Sequence, residues 1–475
     1  MKKLLRLIFV LSVISGINFS LFAQSKQEQN VQVYEQFKRY FKKSQTDSIY
    51  ALTGESFQNK ISSSKFESVM RQLYQLGPVL QAENLGYANG ISSYKMVFKD
   101  ASLKMSLGLD SAGKLSTFLF KPWVDENAVK PAPVASDNKL ATALDRQIDS
   151  IARGYIQREK TVAMSIGILR DGKMHFYNYG STRQGGDTLP SSSSLYEIGS
   201  ISKTFTSLLL AYYVNEGKLK LDDPITEYLP DSVAVNTALK KVTLRMLANH
   251  TSGLPRLPTN LAVVARDPLN PYKHYSEVAL YDYLKKAKPA TTPGETYAYS
   301  NLGVAVLGNI LEKIGGKPWD ELVKRVITTP LRMTNTVEHL STAQQSRMLP
   351  VYNAEGAETP AWEFQVFDAA GALRSTATDL LVYAQAQMKQ DRSKLARAMA
   401  LTQEMTYGKD PEIGLGWHIN NLEDQKVYSH GGGTYGSRSF LGFVPERSMA
   451  VVVLSNSAEE VSETGMRMLE YLLKQ

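Results

Sequence analysis

Cysteine is absent from all 475 residues, which excludes disulfides, thiolate metal sites and a lipidated cysteine as a membrane tether. Histidine is scarce. The six present, His175, His250, His274, His339, His418 and His430, show neither His-x-His nor His-Glu-x-x-His spacing, so a zinc hydrolase is disfavoured and no metal is expected. There is no Gly-x-Ser-x-Gly elbow to suggest an α/β-hydrolase. Tyrosine and the four tryptophans are scattered, no basic block is flanked by aromatics, and the formal charge of +8 is mild for this length. A nucleic-acid partner is therefore not expected, whereas weak attraction to an anionic cell-wall polymer fits. Past the N-terminus, no stretch approaches the roughly 18 uninterrupted apolar residues of a membrane span. Internal repeats and low-complexity tracts are missing as well.

What is present begins with a leader. Lys2, Lys3 and Arg6 precede an apolar run from Leu7 to Phe22, and Leu21-Phe22-Ala23 offers a small residue before Gln24. Residues 1–23 thus read as a secretory signal peptide, with an exported protein, periplasmic or secreted, as the expectation. The remaining length exceeds one ordinary core, so two domains are expected. Residues 27–123 read as a small α+β domain. Val33, Phe37, Tyr40 and Phe41 recur at helical spacing, as do Phe66, Val69, Met70 and Leu73 before Gly77-Pro78. Leu103, Met105, Leu107 and Leu109 alternate as a strand, and Leu115 to Phe120 returns after a turn at Asp110-Ser111-Ala112-Gly113. Helices followed by a curled antiparallel sheet resemble the cystatin-like or nuclear-transport-factor-like small domains. Residues 124–138, with Pro131-Ala132-Pro133, read as a linker.

The second domain is placed at 139–475. A helix is expected over 141–159, then a hairpin of Val162 to Arg170 and Lys173 to Tyr179 around Asp171-Gly172. A second hairpin joins Ser439 to Val444 with Met449 to Leu454, and a helix over 459–473 closes the chain. Hairpins at both ends with helices between them imply an antiparallel sheet faced by helices.

Chemistry enters through three short motifs in order. Ser200-Ile201-Ser202-Lys203 opens a long apolar helical run, Tyr299-Ser300-Asn301 follows, and His430-Gly431-Gly432 precedes the last hairpin. Ser-x-x-Lys alone carries little, since it recurs at Ser62/Lys65, Ser92/Lys95, Ser111/Lys114 and Ser136/Lys139, and Tyr87-Ala88-Asn89 imitates the second motif. Order, separation and context distinguish the set. A hydroxyl is a poor nucleophile at neutral pH and needs a base within hydrogen-bond reach. Positions i and i+3 share a helix face, so Lys203 can set its amine beside the Ser200 oxygen, and burial would lower its pKa for proton transfer.

The trio resembles the signature of the serine β-lactamase and penicillin-recognising enzyme superfamily, specifically its class C β-lactamase and DD-peptidase-like branch. Asn249-His250-Thr251-Ser252-Gly253-Leu254-Pro255, Pro293-Gly294-Glu295 and Gly371-Ala372-Leu373-Arg374-Ser375-Thr376 are similar to further phrases of that family. The resemblance covers about Lys139 to Gln475. It implies an α+β catalytic domain, one lobe helical and one with an antiparallel sheet flanked by helices, with the serine at their junction. Carried over, Ser200 would be the nucleophile and Lys203 the base. Tyr299 would share proton transfer, ionising below its usual range between polar and cationic neighbours. Asn301 would hydrogen-bond Lys203 and the substrate amide. The backbone N–H groups of Ser200 and Gly433 would form the oxyanion hole, with Gly432 in the glycine run that permits close approach. His430 departs from the lysine of class C β-lactamases and, as a fractionally charged group near pH 7, would bind a β-lactam carboxylate less well. Arg438 is the candidate for supplying the missing charge. His250 reads as a buried structural histidine.

The resemblance thus implies an exported serine hydrolase acting through an acyl-Ser200 intermediate, without cofactor, on a small peptide, β-lactam or ester. The preferred substrate is a D-alanyl peptide of peptidoglycan, with weak β-lactamase activity. The alternatives are an esterase or D-amino-acid amidase or aminopeptidase of the same fold, and a penicillin-binding sensor with little turnover.

Overall fold

The structure, a computed structural model, describes residues 19–98, 101–123, 134–264, 267–389 and 391–475. The leader expected over 1–23 lies outside the described residues as far as residue 18, and a helix, Phe19–Lys42, begins at its end. Most of the linker expected over 124–138 lies outside them too.

Two compact units divide at Lys130 and Pro131. In the first, the helix Ser63–Tyr74 starts where the Ser62 side chain accepts the Lys65 N–H, so the Ser-x-x-Lys at this position is a helix cap. Four antiparallel strands run in sequence order, Val79–Ala88, Ile91–Phe98, Ser102–Leu109 and Leu115–Pro122. The first hairpin was not anticipated. Val79–Ala88 is an almost wholly exposed edge strand whose residues lack the apolar alternation that marks a half-buried strand. Ile91–Phe98 shows that period in its burial, with Tyr94, Met96 and Phe98 directed inward onto Phe37, Phe41, Phe66 and Met70.

The second unit is built on a seven-stranded antiparallel sheet. Its strand order is Glu412–Ile413, His418–Leu422, Gln425–Gly433, Arg438–Val444, Met449–Ser455, Ala163–Arg170, Lys173–Gly180. The two expected hairpins meet inside it, Met449–Ser455 pairing with Ala163–Arg170. Val451 and Val453 pack with Ile148, Ile151, Tyr155, Met468 and Leu472, from the helices Ala143–Ile156 and Ser462–Leu473. Ala450, Val452 and Leu454 face the larger core with Leu380 and Leu381 of the helix Ala377–Gln387. Both faces of that strand are therefore buried, which explains its unbroken apolar run. The described end of the expected linker already belongs here, since Asp137 accepts hydrogen bonds from the backbone and side-chain N–H groups of Asn178.

The helix Ser202–Asn215 is buried on every side through its first ten residues. An all-round apolar helix must lie in a core, and this one is enclosed by the helices Asn301–Gly315, Trp319–Val323, Asp368–Gly371 and Lys394–Gln403. The N-terminus of that central helix is where the three motifs converge.

Candidate active site

Ser200 sits in a tight 3-10 turn, Gly199–Ile201, one step before the α-helix begins at Ser202. The turn depends on Gly199, which has φ +48°, a conformation that favours glycine. A Cβ there would also lie 2.6 Å from the Gly433 nitrogen. The serine turn and the end of the strand Gln425–Gly433 are thus in backbone contact, the arrangement that two converging N–H donors require. Gly432 is equally constrained, because an added Cβ would meet the Ile198 oxygen at 2.0 Å and the Ser439 Oγ at 2.3 Å. Gly432→Ala is expected to force the strand away from the serine turn. A displacement of about 1 Å at a reacting centre can cost about 10²-fold, so kcat/KM for any acyl donor should fall by about that factor, measured on a variant with native circular dichroism.

Lys203 is 1 % exposed. Its Nζ donates to Ser200 Oγ at 2.9 Å and to the Ala370 carbonyl at 2.6 Å. Burial, and secondarily the charge of Arg256, hold its amine well below the ordinary lysine range. The phrase around Gly371 owes its place to this helix: Ser202 Oγ accepts the Leu373 N–H, and Thr206 donates to the Ala369 carbonyl.

Tyr299 is held by the segment that follows residue 248. The Ala298 N–H donates to the His250 carbonyl, the Ser300 N–H to His250 Nδ1 at 3.2 Å, and the Ser300 hydroxyl to the Pro255 carbonyl. His250 adopts φ +62°, and its ring lies 4.3 Å from that of Tyr299. It is a buried histidine kept neutral by desolvation and nearby positive groups. Two cations approach the Tyr299 ring, Lys203 Nζ at 5.0 Å and Arg256 Cζ at 5.1 Å from its centroid. The phenol nevertheless titrates above its usual range. Burial raises it by more than the neighbouring Ser200 hydroxyl and the Arg256 charge lower it. The expectation of a readily ionised Tyr299 is corrected: at neutral pH it is a phenol with a proton to donate.

Asn301 differs from expectation too. It does not bond Lys203, whose amine is occupied by Ser200 and Ala370. Its Nδ2 donates to the Tyr272 hydroxyl at 3.2 Å, and its buried Oδ1 has no partner among the described residues.

His430 is brought to the site but not as a partial charge. Its ring is buried, its Nδ1 proton donates to the Gly431 carbonyl at 2.6 Å, and the His418 ring lies 5.6 Å away. Burial, His418 and Lys203 hold its pKa well below the usual histidine value, so it is neutral across the physiological range. Arg438 lies beside Gly433 but is partly engaged. Its Nη1 donates to the carbonyls of Thr434 and Ser437 at 2.7 and 2.9 Å, and its Nε is 3.9 Å from Glu460.

Sequence reasoning missed four contributors. The Ala370 carbonyl is a backbone group and leaves no residue signal. Tyr272 reaches Asn301 from a loop without a motif. Glu197, buried three residues before the serine, accepts from Thr434 Oγ1 and from the Trp362 N–H, with Arg374 at 3.6 Å. Arg256 had a weak signal, as the residue directly after Asn249 to Pro255. Away from Ser200, Asp320, Glu338 and His339 are the one group among the described residues that could hold a metal ion, with ligand atoms within 4.8 Å of one another.

The family model Beta-lactamase matches residues 148–473, more than half of the chain. A beta-lactamase of Pseudomonas fluorescens is 25 % identical over 350 residues, covering 66 % of this chain and 94 % of that protein. The D-alanyl-D-alanine-carboxypeptidase/endopeptidase AmpH of Escherichia coli (strain K12) is 28 % identical over 343 residues, covering 68 % and 86 %. Among solved structures, a class C beta-lactamase superposes with a TM-score of 0.63 at 22 % identity, over 70 % of this chain and 96 % of that one. A beta-lactamase/D-alanine carboxypeptidase from Pseudomonas syringae gives 0.61 at 24 %, over 70 % and 99 %. These two share the fold.

Proposed function

The chain belongs to the beta-lactamase family, and we propose that, as a serine hydrolase of that family, it is exported and cleaves the terminal D-alanyl amide of a peptidoglycan-type peptide through an acyl-Ser200 intermediate. The observation that carries this reading is the 2.9 Å hydrogen bond between Lys203 Nζ and Ser200 Oγ, made by a buried lysine whose amine is easily deprotonated. The free amine takes the Ser200 proton as Oγ attacks the carbonyl carbon, and the Ala370 carbonyl steadies the resulting ammonium. The N–H groups of Ser200 and Gly433 receive the oxyanion. Tyr299, protonated and set beside Lys203, gives its proton to the leaving nitrogen as the tetrahedral intermediate collapses, and regains one through Lys203. Water then releases the acyl group by the same route in reverse.

A second reading, hydrolysis of neutral esters or D-amino-acid amides, is favoured by the neutral His430 and the engaged Arg438, which leave the strand side without a free cation. The test is turnover of a D-Ala-D-Ala peptide, nitrocefin and a p-nitrophenyl ester side by side, with mass detection of the acyl adduct. The peptide should be preferred. Because His430 stays uncharged, the ratio of carboxylated to neutral substrate should remain flat from about pH 5.5 to 8.5, around the ordinary histidine value near 6.5. A ratio falling through that value would show that His430 titrates in the working enzyme. Ester turnover without peptide turnover would establish the second reading.

A further inference from the structure

We propose that Arg256 is the anchor for a carboxylate on the substrate, so that this chain recognises substrate charge from the helical side of the site, beside Tyr299, and not from the strand Gln425–Gly433. The proposal rests on the serine-hydrolase reading of Ser200 and deepens it by naming what selects the substrate.

An anion is held selectively by a fixed cation whose donors are not already in use. Of the basic groups near Ser200, Lys203 is buried and committed to Ser200 and Ala370. Arg438 is committed to two carbonyls and lies near Glu460. His430 spends its Nδ1 proton on the Gly431 carbonyl. Arg256 is different. It is exposed, and its guanidinium has no hydrogen bond or ion pair with any described residue.

Its position is nonetheless fixed at both ends. The Arg256 carbonyl accepts the N–H groups of Asn301 and Leu302 at 3.0 and 3.2 Å, which ties the backbone to the N-terminus of the helix Asn301–Gly315. The guanidinium carbon lies 5.1 Å from the centroid of the Tyr299 ring. Contact with an aromatic ring restrains a guanidinium while leaving N–H groups free for a two-pronged bond to a carboxylate, a geometry that lysine does not share. Lys203 Nζ, which donates to Ser200 Oγ, lies 5.0 Å from the centroid of the same ring, so a group held by Arg256 belongs to a molecule positioned at the nucleophile.

The electrostatic surroundings point the same way. The groups whose charge reaches Tyr299 are Arg256, Tyr297 and Tyr272, with no carboxylate among them. The positive charge of Arg256 also acts on Lys203 and His250. Among the described residues none pairs as a counter-ion with Arg256, and an anionic substrate would fill that role.

The experiment measures binding in a Ser200→Ala background, where turnover does not intervene. The ligands are an N-acyl dipeptide ending in D-alanine with a free carboxylate, and its C-terminal amide. The background protein should bind the acid more tightly than the amide. Arg256→Gln should lower that preference by roughly tenfold or more, the usual scale of a charge-assisted bond, and Arg256→Lys should retain part of it. An unchanged acid-to-amide ratio in Arg256→Gln would overturn the proposal. Equal losses for both ligands would overturn it too, since Arg256 would then be a prop for Tyr299. Absence of measurable binding of the acid at millimolar concentration would count against it as well. Fluorophosphonate labelling of the chain with Ser200 intact is run in parallel. Its failure would remove the hydrolase reading while the binding ratio stays interpretable.

Discussion

Ser200→Ala should lose covalent labelling by a β-lactam or fluorophosphonate probe and lower turnover of every substrate by about 10⁴-fold or more, the scale seen when a nucleophile is removed. The neighbouring serines are poor substitutes. Ser202 Oγ is buried and accepts the Leu373 N–H, and the Ser300 hydroxyl donates to the Pro255 carbonyl. Peptide mapping of the labelled protein should therefore find the adduct on Ser200. An active, labelled Ser200→Ala protein would remove this serine from the mechanism. Structure should be little affected, since Ser200 makes its side-chain contacts only within the site and a small hydroxyl is exchanged for a hydrogen.

Lys203→Ala should slow acylation by roughly 10²–10⁴-fold, the range for a lost general base. Its structural cost is separable. The variant leaves the Ala370 carbonyl without its donor in a buried place, a loss of about 1–3 kcal/mol, which a thermal melt reads independently of rate. Tyr299→Phe keeps the ring between Lys203 and Arg256 and removes only the proton, so it should slow acylation comparably with little change in melting temperature. The direction of the pH effect is fixed by Lys203. The amine acts as base when deprotonated, so activity should rise with pH through a lysine pKa well below its usual value. If both variants acylated at near-native rates, Lys203 and Tyr299 would be bystanders.

The catalytic unit was legible in its elements because their periods are undisturbed. The hairpin around Asp171-Gly172 appears as Ala163–Arg170 and Lys173–Gly180, and the final hairpin as Arg438–Val444 and Met449–Ser455. A single antiparallel sheet was expected from the two hairpins, but that Met449–Ser455 pairs with Ala163–Arg170 was not legible, because pairing between distant strands leaves no local pattern. At the site, residue identity indicated which groups meet but not their ionisation. Tyr299 was read from its neighbours' charges and His430 from the ordinary histidine range, whereas in the folded chain desolvation is the larger influence on each, and burial of a polar atom is not written in a motif. Arg256 and Arg438 show the complement. Both are arginines close to motifs, and only their partners distinguish a free cation from a structural brace.

The bracing of the serine turn also bears on when activity can begin. Lys203 is held by Ala370 across a separation of 167 residues, Glu197 by Thr434 across 237, and Ile198 by Ser439 across 241. Contacts so distant in sequence form late, because long loops must close before they are rewarded. A chain emerging from its N-terminus would thus carry Ser200 through more than a third of its synthesis without the lysine's second partner, and through nearly half of it without the strand that faces the serine. Nucleophilicity at Ser200, as proposed, would then be a property of the finished fold, and a chain lacking its last strands should be chemically inert.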